Sequence, residues 1–431
     1  MAESALITSF NTRFLPSNEH IKPEFNESRE DTSADCNVPD WCTLLYDILP
    51  AAGVSGHSVQ RENIESKKYL STWHLKEDCV HEIPLYYPLE KSHAIIYGAT
   101  PPVIAERIAI CLRELSISAA FDDFKAIASA KTENHVHFTI RLFKQKQRSV
   151  IVELQRMKGD LFTFHHISLP ILQAATGDQQ YSGKSSSNHQ KTLSSRTLKI
   201  CLNESLSFCH HDDGTERHNI ISIMDTIVAL LTKDRIDAQL LGVESLRDIT
   251  NPTMTKHSVS FEAAKLVLGG CQESSHHCNI SNIFMSLLLN LKRVEEERSD
   301  DFNNDDVFKN YFDTLHNQTL AILGNTLCVL AMERQALSDT LKSQVWIISE
   351  AAISLLVSDL KNANAEHHNA FLAAKALYYL IRASSEAYDR AVELGAPHAA
   401  REGNLVGRRK HAALAKESQR LLDTLVAKGG K

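Results

Sequence analysis

The chain has 431 residues, 43% of them hydrophobic and 7% aromatic, with a formal net charge of −7. That length holds two or three domains with sizeable cores. A mild acidic excess spread over it excludes wholesale wrapping of nucleic acid and leaves room only for a local basic face. The nine cysteines (36, 42, 79, 111, 201, 209, 271, 278 and 328) are odd in number and show no pairing rhythm. Reduced thiols in a cytoplasmic or nuclear protein are therefore expected. No basic n-region leads into an apolar run at the N-terminus, and the most apolar window, Val345 to Leu360, is broken by Glu350, Ser354 and Asp359. No membrane span is expected.

Residues 1–90 are rich in Ser, Asn, Asp, Glu and Pro and show little periodicity. Ser28 to Asp40 buries too little apolar area to offset its chain entropy, so a mostly disordered N-terminal region is expected. Trp41 to Leu49 is an apolar island that Pro50 ends. It reads as a turn or two of helix, as a linear docking segment, or as a stretch packing on the protein's own domain.

Order is expected from about Ala94, where Ala94-Ile95-Ile96-Tyr97 is short and extended in character. Thr100 offers an N-cap with Pro101 at the first helical position, and Ile104, Ile108, Cys111, Leu112 and Leu115 follow at helical spacing. Ala126 to Thr132 reads as a weak strand. The stretch from His135 to Phe164 is the most legible in the chain. Val136, Phe138, Ile140 and Leu142 alternate with polar residues, as do Val150, Val152 and Leu154, the period of half-buried strands. Gly159-Asp160 suits a tight hairpin into a third run, Leu161 to Phe164. A short helix from Ser168 to Ala175, stopped by Gly177, closes the unit. The expectation is a small α+β module over 94–177: helix, four antiparallel strands, helix.

Residues 178–196 form a Ser-rich linker. From 197 to 431 the chain reads as all-α, with helix-period segments near 219–232, 234–249, 258–269, 281–296, 305–333, 338–360, 366–384, 386–394 and 410–427. Five stretches carry Ala, Gly or Ser where two helices would approach closely, their centres roughly 35 to 55 residues apart, the range of solenoid repeats. Gly269-Gly270 and Gly395-Ala396-Pro397 supply stops, and the acidic run Glu295 to Asp306 reads as a loop insertion.

On the residues HFTIRLF, VIVELQRMKGDLFTF and ILQAA, the module resembles the kinase-associated C-terminal domain found at the end of several protein kinase families. The resemblance covers about a fifth of the chain and implies contact with anionic phospholipid or with a kinase domain. The chain itself carries no Gly-rich nucleotide loop, no HRD and no DFG. TLAILGNTLCVLA and SLLLNLKRV are similar to the third helix of armadillo repeats, where an Asn within an apolar run reaches partner backbone. The resemblance implies that Asn290 and Asn325 face a groove.

Each candidate has an ordinary alternative. Lys144, Lys146 and Arg148 cluster in one strand-to-strand loop, about 25 Å from Arg156 and Lys158 along the strand and beyond the Debye length of about 8 Å. At about 1 kcal/mol per charge they support weak, reversible contact with an anionic surface; the alternative is a solvated loop. Cys271, His276, His277 and Cys278, like Cys201, Cys209, His210 and His211, lack the paired spacing of zinc ligands, so neither metal nor cofactor is expected. Cys111 and Cys328 lie on apolar helix faces and read as structural thiols. Asn290 and Asn325 serve equally well as bridges between helices. Arg408, Arg409, Lys410, Lys416 and Arg420 read as a solvated last helix.

Together these point to a non-enzymatic scaffold or adaptor: a disordered N-terminus, a kinase-associated-like α+β module and an armadillo/HEAT-like solenoid that binds a protein or extended peptide. The alternative is a regulatory subunit or fragment of a kinase-related enzyme whose catalytic domain is on another chain. Nucleic acid ranks last, for want of a continuous basic surface with stacking aromatics.

Overall fold

A computed structural model describes residues 73–145, 149–177, 213–233, 235–269, 280–289, 306–333 and 335–429. The expectations for Trp41 to Leu49, the linker 178–196, both cysteine–histidine clusters, Lys146, Arg148 and Asn290 lie outside those residues.

The N-terminal module is an antiparallel sheet of five strands: β1 (His93–Tyr97), β2 (Ser118–Asp122), β3 (Ile127–Lys131), β4 (His137–Gln145) and β5 (Ser149–Lys158). Their spatial order is β1-β5-β4-β3-β2. The longest strands, β4 and β5, lie inside the sheet because their alternation supplies a continuous apolar face. Phe138, Ile140, Val152 and Leu154 form a core with Ile104 and Ile108 of α1 (Pro101–Glu114) and with Phe164 and Ile171 of α2 (Leu161–Thr176).

In the module three expectations are corrected. The sheet has five strands and not four: the Ala94 to Tyr97 run is edge strand β1, paired with β5, and β2 comes from the small-residue stretch SAAFD, whose pattern is too weak to read alone. Leu161 to Phe164 is the first turn of α2, not a third meander strand. Asp160 is its N-cap, accepting from Thr163 N at 2.6 Å, so Gly159-Asp160 starts a helix where a hairpin was expected. Phe164, Ser168, Ile171 and Ala175 are buried at helical spacing, a period that four residues are too short to display. Gly177 does stop that helix, with φ 86°.

The third correction concerns residues 73–90, placed by composition in the disordered region. Trp73, Leu75 and Val80 join the module core, and Trp73 stacks on Phe121 with ring centroids 5.4 Å apart. The following segment crosses the second face of the sheet, where Tyr87 packs on Phe143 at 5.2 Å. Both faces are thus covered, and Ile151 and Glu153 of β5 are buried along with their neighbours.

The rest is helical: α3 (Asp213–Leu231), α4 (Ile236–Thr250), α5 (His257–Val267), α6 (280–289), α7 (Asp306–Met332), α8 (Ala336–Ser343), α9 (Glu350–Lys361), α10 (His367–Ala383), α11 (Ser385–Glu393), α12 (Ala396–Lys410) and α13 (Ala412–Gly429). The expected helix 338–360 is split by a 3-10 turn, Val345–Ile348, because Ser349 caps a new helix by accepting from Ala352 N at 3.3 Å. Gly395, at φ 86°, ends α11, and Ala396-Pro397 open α12, absent from the periodic segments above.

The helices stack in two layers. α4, α7, α10 and α13 pack in series, while α9 and α12 back α10 and α13. Side-chain bonds between α7 and α10 join residues 52, 50 and 51 apart in sequence: Asn317–Asn369, Asn325–Lys375 and Cys328–Tyr379. At the ends of α10 and α13 the separations are 43 to 47: His368 with His411 just before α13, and Lys428 with the carbonyls of Ile381 and of Ser384 just after α10. A near-constant offset means that the helices run parallel, the relation between equivalent elements of successive units in a helical repeat.

Candidate partner-binding face

Asn325 sits inside α7 and is 9% exposed. Its Oδ1 accepts from Lys375 Nζ of α10 at 3.3 Å. A glycine precedes it, and the Lys375 stem lies over the helix there: a Cβ on Gly324 would stand 3.4 Å from Lys375 Cδ, an ordinary contact. One turn on, the Tyr379 hydroxyl donates to Cys328 Sγ at 3.1 Å. Burial first, then Cys328, pushes the Tyr379 phenol well above its ordinary range.

The row continues to α13. The Arg420 guanidinium lies 4.2 Å over the Tyr378 ring and makes two bonds of 2.9 Å to Glu417. Burial opposes its charge, but Glu417 and the Tyr378 hydroxyl outweigh that and hold it more firmly protonated than a free arginine. Arg382 Nη1 donates to the Tyr378 hydroxyl at 3.1 Å. Lys375, Tyr378 and Tyr379 are half-buried, so each keeps an accessible edge. The row offers hydrogen-bond donors, aromatic edges and three cations, groups suited to holding peptide backbone and side chains.

The sequence expectation named Asn325 for a groove or for a bridge between helices, and the structure shows the bridge, to Lys375, a residue not named in advance. The available signal was Lys375 and the Tyr378-Tyr379 pair, which interrupt the Ala-rich apolar run of α10. Asn325 is not brought together with Asn290, which is outside the described residues.

Of the basic loop, Lys144 is described. It is the last residue but one of β4 and half-buried, its main chain pairing with Val150 on one side and exchanging bonds with His81 O (2.8 Å) and Ile83 N (3.1 Å) on the other. Arg141 is engaged internally, donating to the Tyr87 hydroxyl at 2.9 Å. Cys111 is buried, its thiol pushed up to about 12 by desolvation first and Glu114 second, as suits a structural thiol. Among the described residues no His, Cys, Asp and Glu cluster has the geometry of a metal site.

The module and the helical array touch directly. Ser118 Oγ lies 3.1 Å from His367 Nδ1, and His368 Nε2 lies 3.1 Å from Lys131 O. Ala413 N donates to Ser116 Oγ at 2.9 Å, and Arg113 to Arg408 O at 3.3 Å. No described helix is long and apolar enough to cross a membrane. Compared with protein-family models and with curated proteins, the chain matches none.

Proposed function

We propose that this chain is a non-enzymatic scaffold or adaptor whose armadillo-type array holds a protein partner or an extended peptide on the face of α7, α10 and α13. The parallel stacking of these helices, with Asn325–Lys375 and Tyr379–Cys328 bridging them at matched offsets, carries the reading. Repeat helices that present one polar and aromatic position per unit suit a chain running across them. Asn290 belongs to the same proposal by its resemblance to the third armadillo helix. The sheet module, kinase-associated-like in its element order, adds weak contact with anionic phospholipid through Lys144, Lys146 and Arg148. The working compartment in this reading is the cytoplasm.

The test is affinity capture with the full chain, followed by mass spectrometry, against two variants. Asn290→Ala with Asn325→Ala, and separately Lys375→Ala, should each weaken recovery of partners severalfold with little change in melting temperature, since a lost hydrogen bond costs about 1 kcal/mol. A large fall in melting temperature places these residues in a purely internal role. Undiminished capture at unchanged stability moves the binding face elsewhere. Stoichiometric recovery of a kinase catalytic chain favours the regulatory-subunit reading.

A further inference from the structure

The contact between module and array is built on histidines. His367 and His368 open α10, and His411 stands between α12 and α13; they are 6%, 6% and 1% exposed. Their hydrogen bonds form a chain with one consistent proton placement. Leu414 N donates to His411 Nδ1 at 3.1 Å, which puts the His411 proton on Nε2. That N–H donates to His368 Nδ1 at 3.0 Å, which puts the His368 proton on Nε2. His368 Nε2 then donates to Lys131 O of β3 at 3.1 Å, across the contact between the two halves. A second proton on either ring would set N–H against N–H. The relay exists only while both imidazoles are neutral.

The surroundings add to that restriction. From the module, Lys131 and Glu133 act on His368, and His135 faces it with His137 at its own side; Arg113 donates across the same contact to Arg408 O. From the array, Arg247 of α4 and Lys410 of α12 lie near. Glu133 is the one acid in that set. His367 Nε2 and His135 Nε2 are buried without a hydrogen-bond partner, so neither ring has an acceptor ready for a new proton.

We propose that this histidine chain is a proton-operated latch: neutral, it fastens the sheet module to the helical array, and protonation releases it. Burial first, then the adjoining imidazoles of His368 and His367, holds His411 down to about 3, and burial first, then Lys410, holds His367 down to about 4, against an ordinary 6.5. Because the docked values are depressed, docking is complete above about pH 6.5 and is lost as pH falls below it toward those values. Each histidine that regains water on release weakens docking about tenfold between pH 7.5 and pH 5.5.

Hydrogen exchange on the full chain tests this, because the Ala413 amide bonds to Ser116 Oγ of the module and reports docking directly. With intrinsic rates corrected for pH, its protection should fall at least tenfold from pH 7.5 to 5.5 while the β4–β5 amides of Ile140 and Val152 hold theirs. In His367→Gln with His368→Gln, which keeps a donor near Lys131 O and removes two titrating groups while leaving His411, the fall in Ala413 protection should shrink by about tenfold for each removed histidine that regains water. Should that pair lower docking at every pH, His368→Gln alone keeps the comparison. Flat protection in the unaltered chain, an equal fall in the sheet amides, or an undiminished fall in the variants would each overturn the latch.

Discussion

The Tyr87 hydroxyl donates to Glu153 Oε2 at 2.7 Å, and Glu153 is fully buried in the middle of β5. A second donor, Glu90 N, reaches Oε1 at 2.8 Å, and Arg141 stands 4.0 Å away. A carboxylate inside a sheet is tolerated only when such partners replace its water. Tyr87→Phe removes one partner and leaves an oxygen underbonded. The module should lose about 1–3 kcal/mol in urea unfolding followed by a β-sheet signal. A loss under about 0.3 kcal/mol would mean that water reaches Glu153 and that the segment over this face is not a fixed cover.

The turn before α2 yields a second expectation. Gly159 has φ 97°, and a Cβ there would meet Val136 Cα at 2.7 Å and His135 O at 2.9 Å. Both are backbone atoms that cannot step aside. Gly159→Ala should destabilise the module by about 1–3 kcal/mol. Asp160→Ala should cost about 1 kcal/mol by removing the cap on Thr163. Although slight burial acts to raise it, the Thr163 bonds hold the Asp160 carboxyl below its usual value. The cap is therefore present above about pH 4 and is lost as pH falls through that depressed value, and thermal melts at pH 7 and pH 3 check the sign.

These two sites also show what was legible in the sequence. Alternation in β4 and β5 was readable because each strand is long enough for a period of two to repeat. The cover over their second face was not readable. Tyr87 and Glu153 are 66 residues apart, and nothing local marks Glu153 as buried. Leu161 to Phe164 misled for the opposite reason, since four residues with Leu161, Phe162 and Phe164 among them fit a strand until Ser168, Ile171 and Ala175 reveal the longer period. The helical array was readable as helices, but which faces meet depends on pairs such as Asn325–Lys375, 50 residues apart. The histidine contact escaped notice because its members are scattered over 135, 367, 368 and 411 and lack any motif spacing.

A third expectation concerns the basic loop. Lys144→Ala with Lys146→Ala and Arg148→Ala should abolish weak, salt-sensitive sedimentation with phosphatidylserine-containing vesicles, since three charges supply roughly 3 kcal/mol at such a surface. Lys144→Ala alone should remove less than a third of it, because that side chain is half-buried at the strand end. Sedimentation that is equal for the triple variant and the unaltered chain, or absent for both, would remove phospholipid from the proposed function.

Two glycines in the array should respond to the same substitution with opposite signs. At Gly407 of α12 a Cβ would stand 2.7 Å from Ala415 Cα and 3.0 Å from Ala415 Cβ, where α12 and α13 come closest. Ala415 belongs to a helix backbone and cannot yield, so Gly407→Ala should cost about 1–3 kcal/mol net, outweighing the gain of about 1 kcal/mol in helix propensity. At Gly324 of α7 the nearest atom is Lys375 Cδ at 3.4 Å, an ordinary contact with a flexible side chain. Gly324→Ala should therefore be neutral or stabilise by up to about 1 kcal/mol. Urea unfolding followed by the helical signal compares the two. Gly407 O also accepts from His411 N at 2.8 Å, so forcing α12 from α13 disturbs the ring that His368 depends on. The Gly407 variant should accordingly lose Ala413 amide protection already at pH 7.5, and the Gly324 variant should keep it.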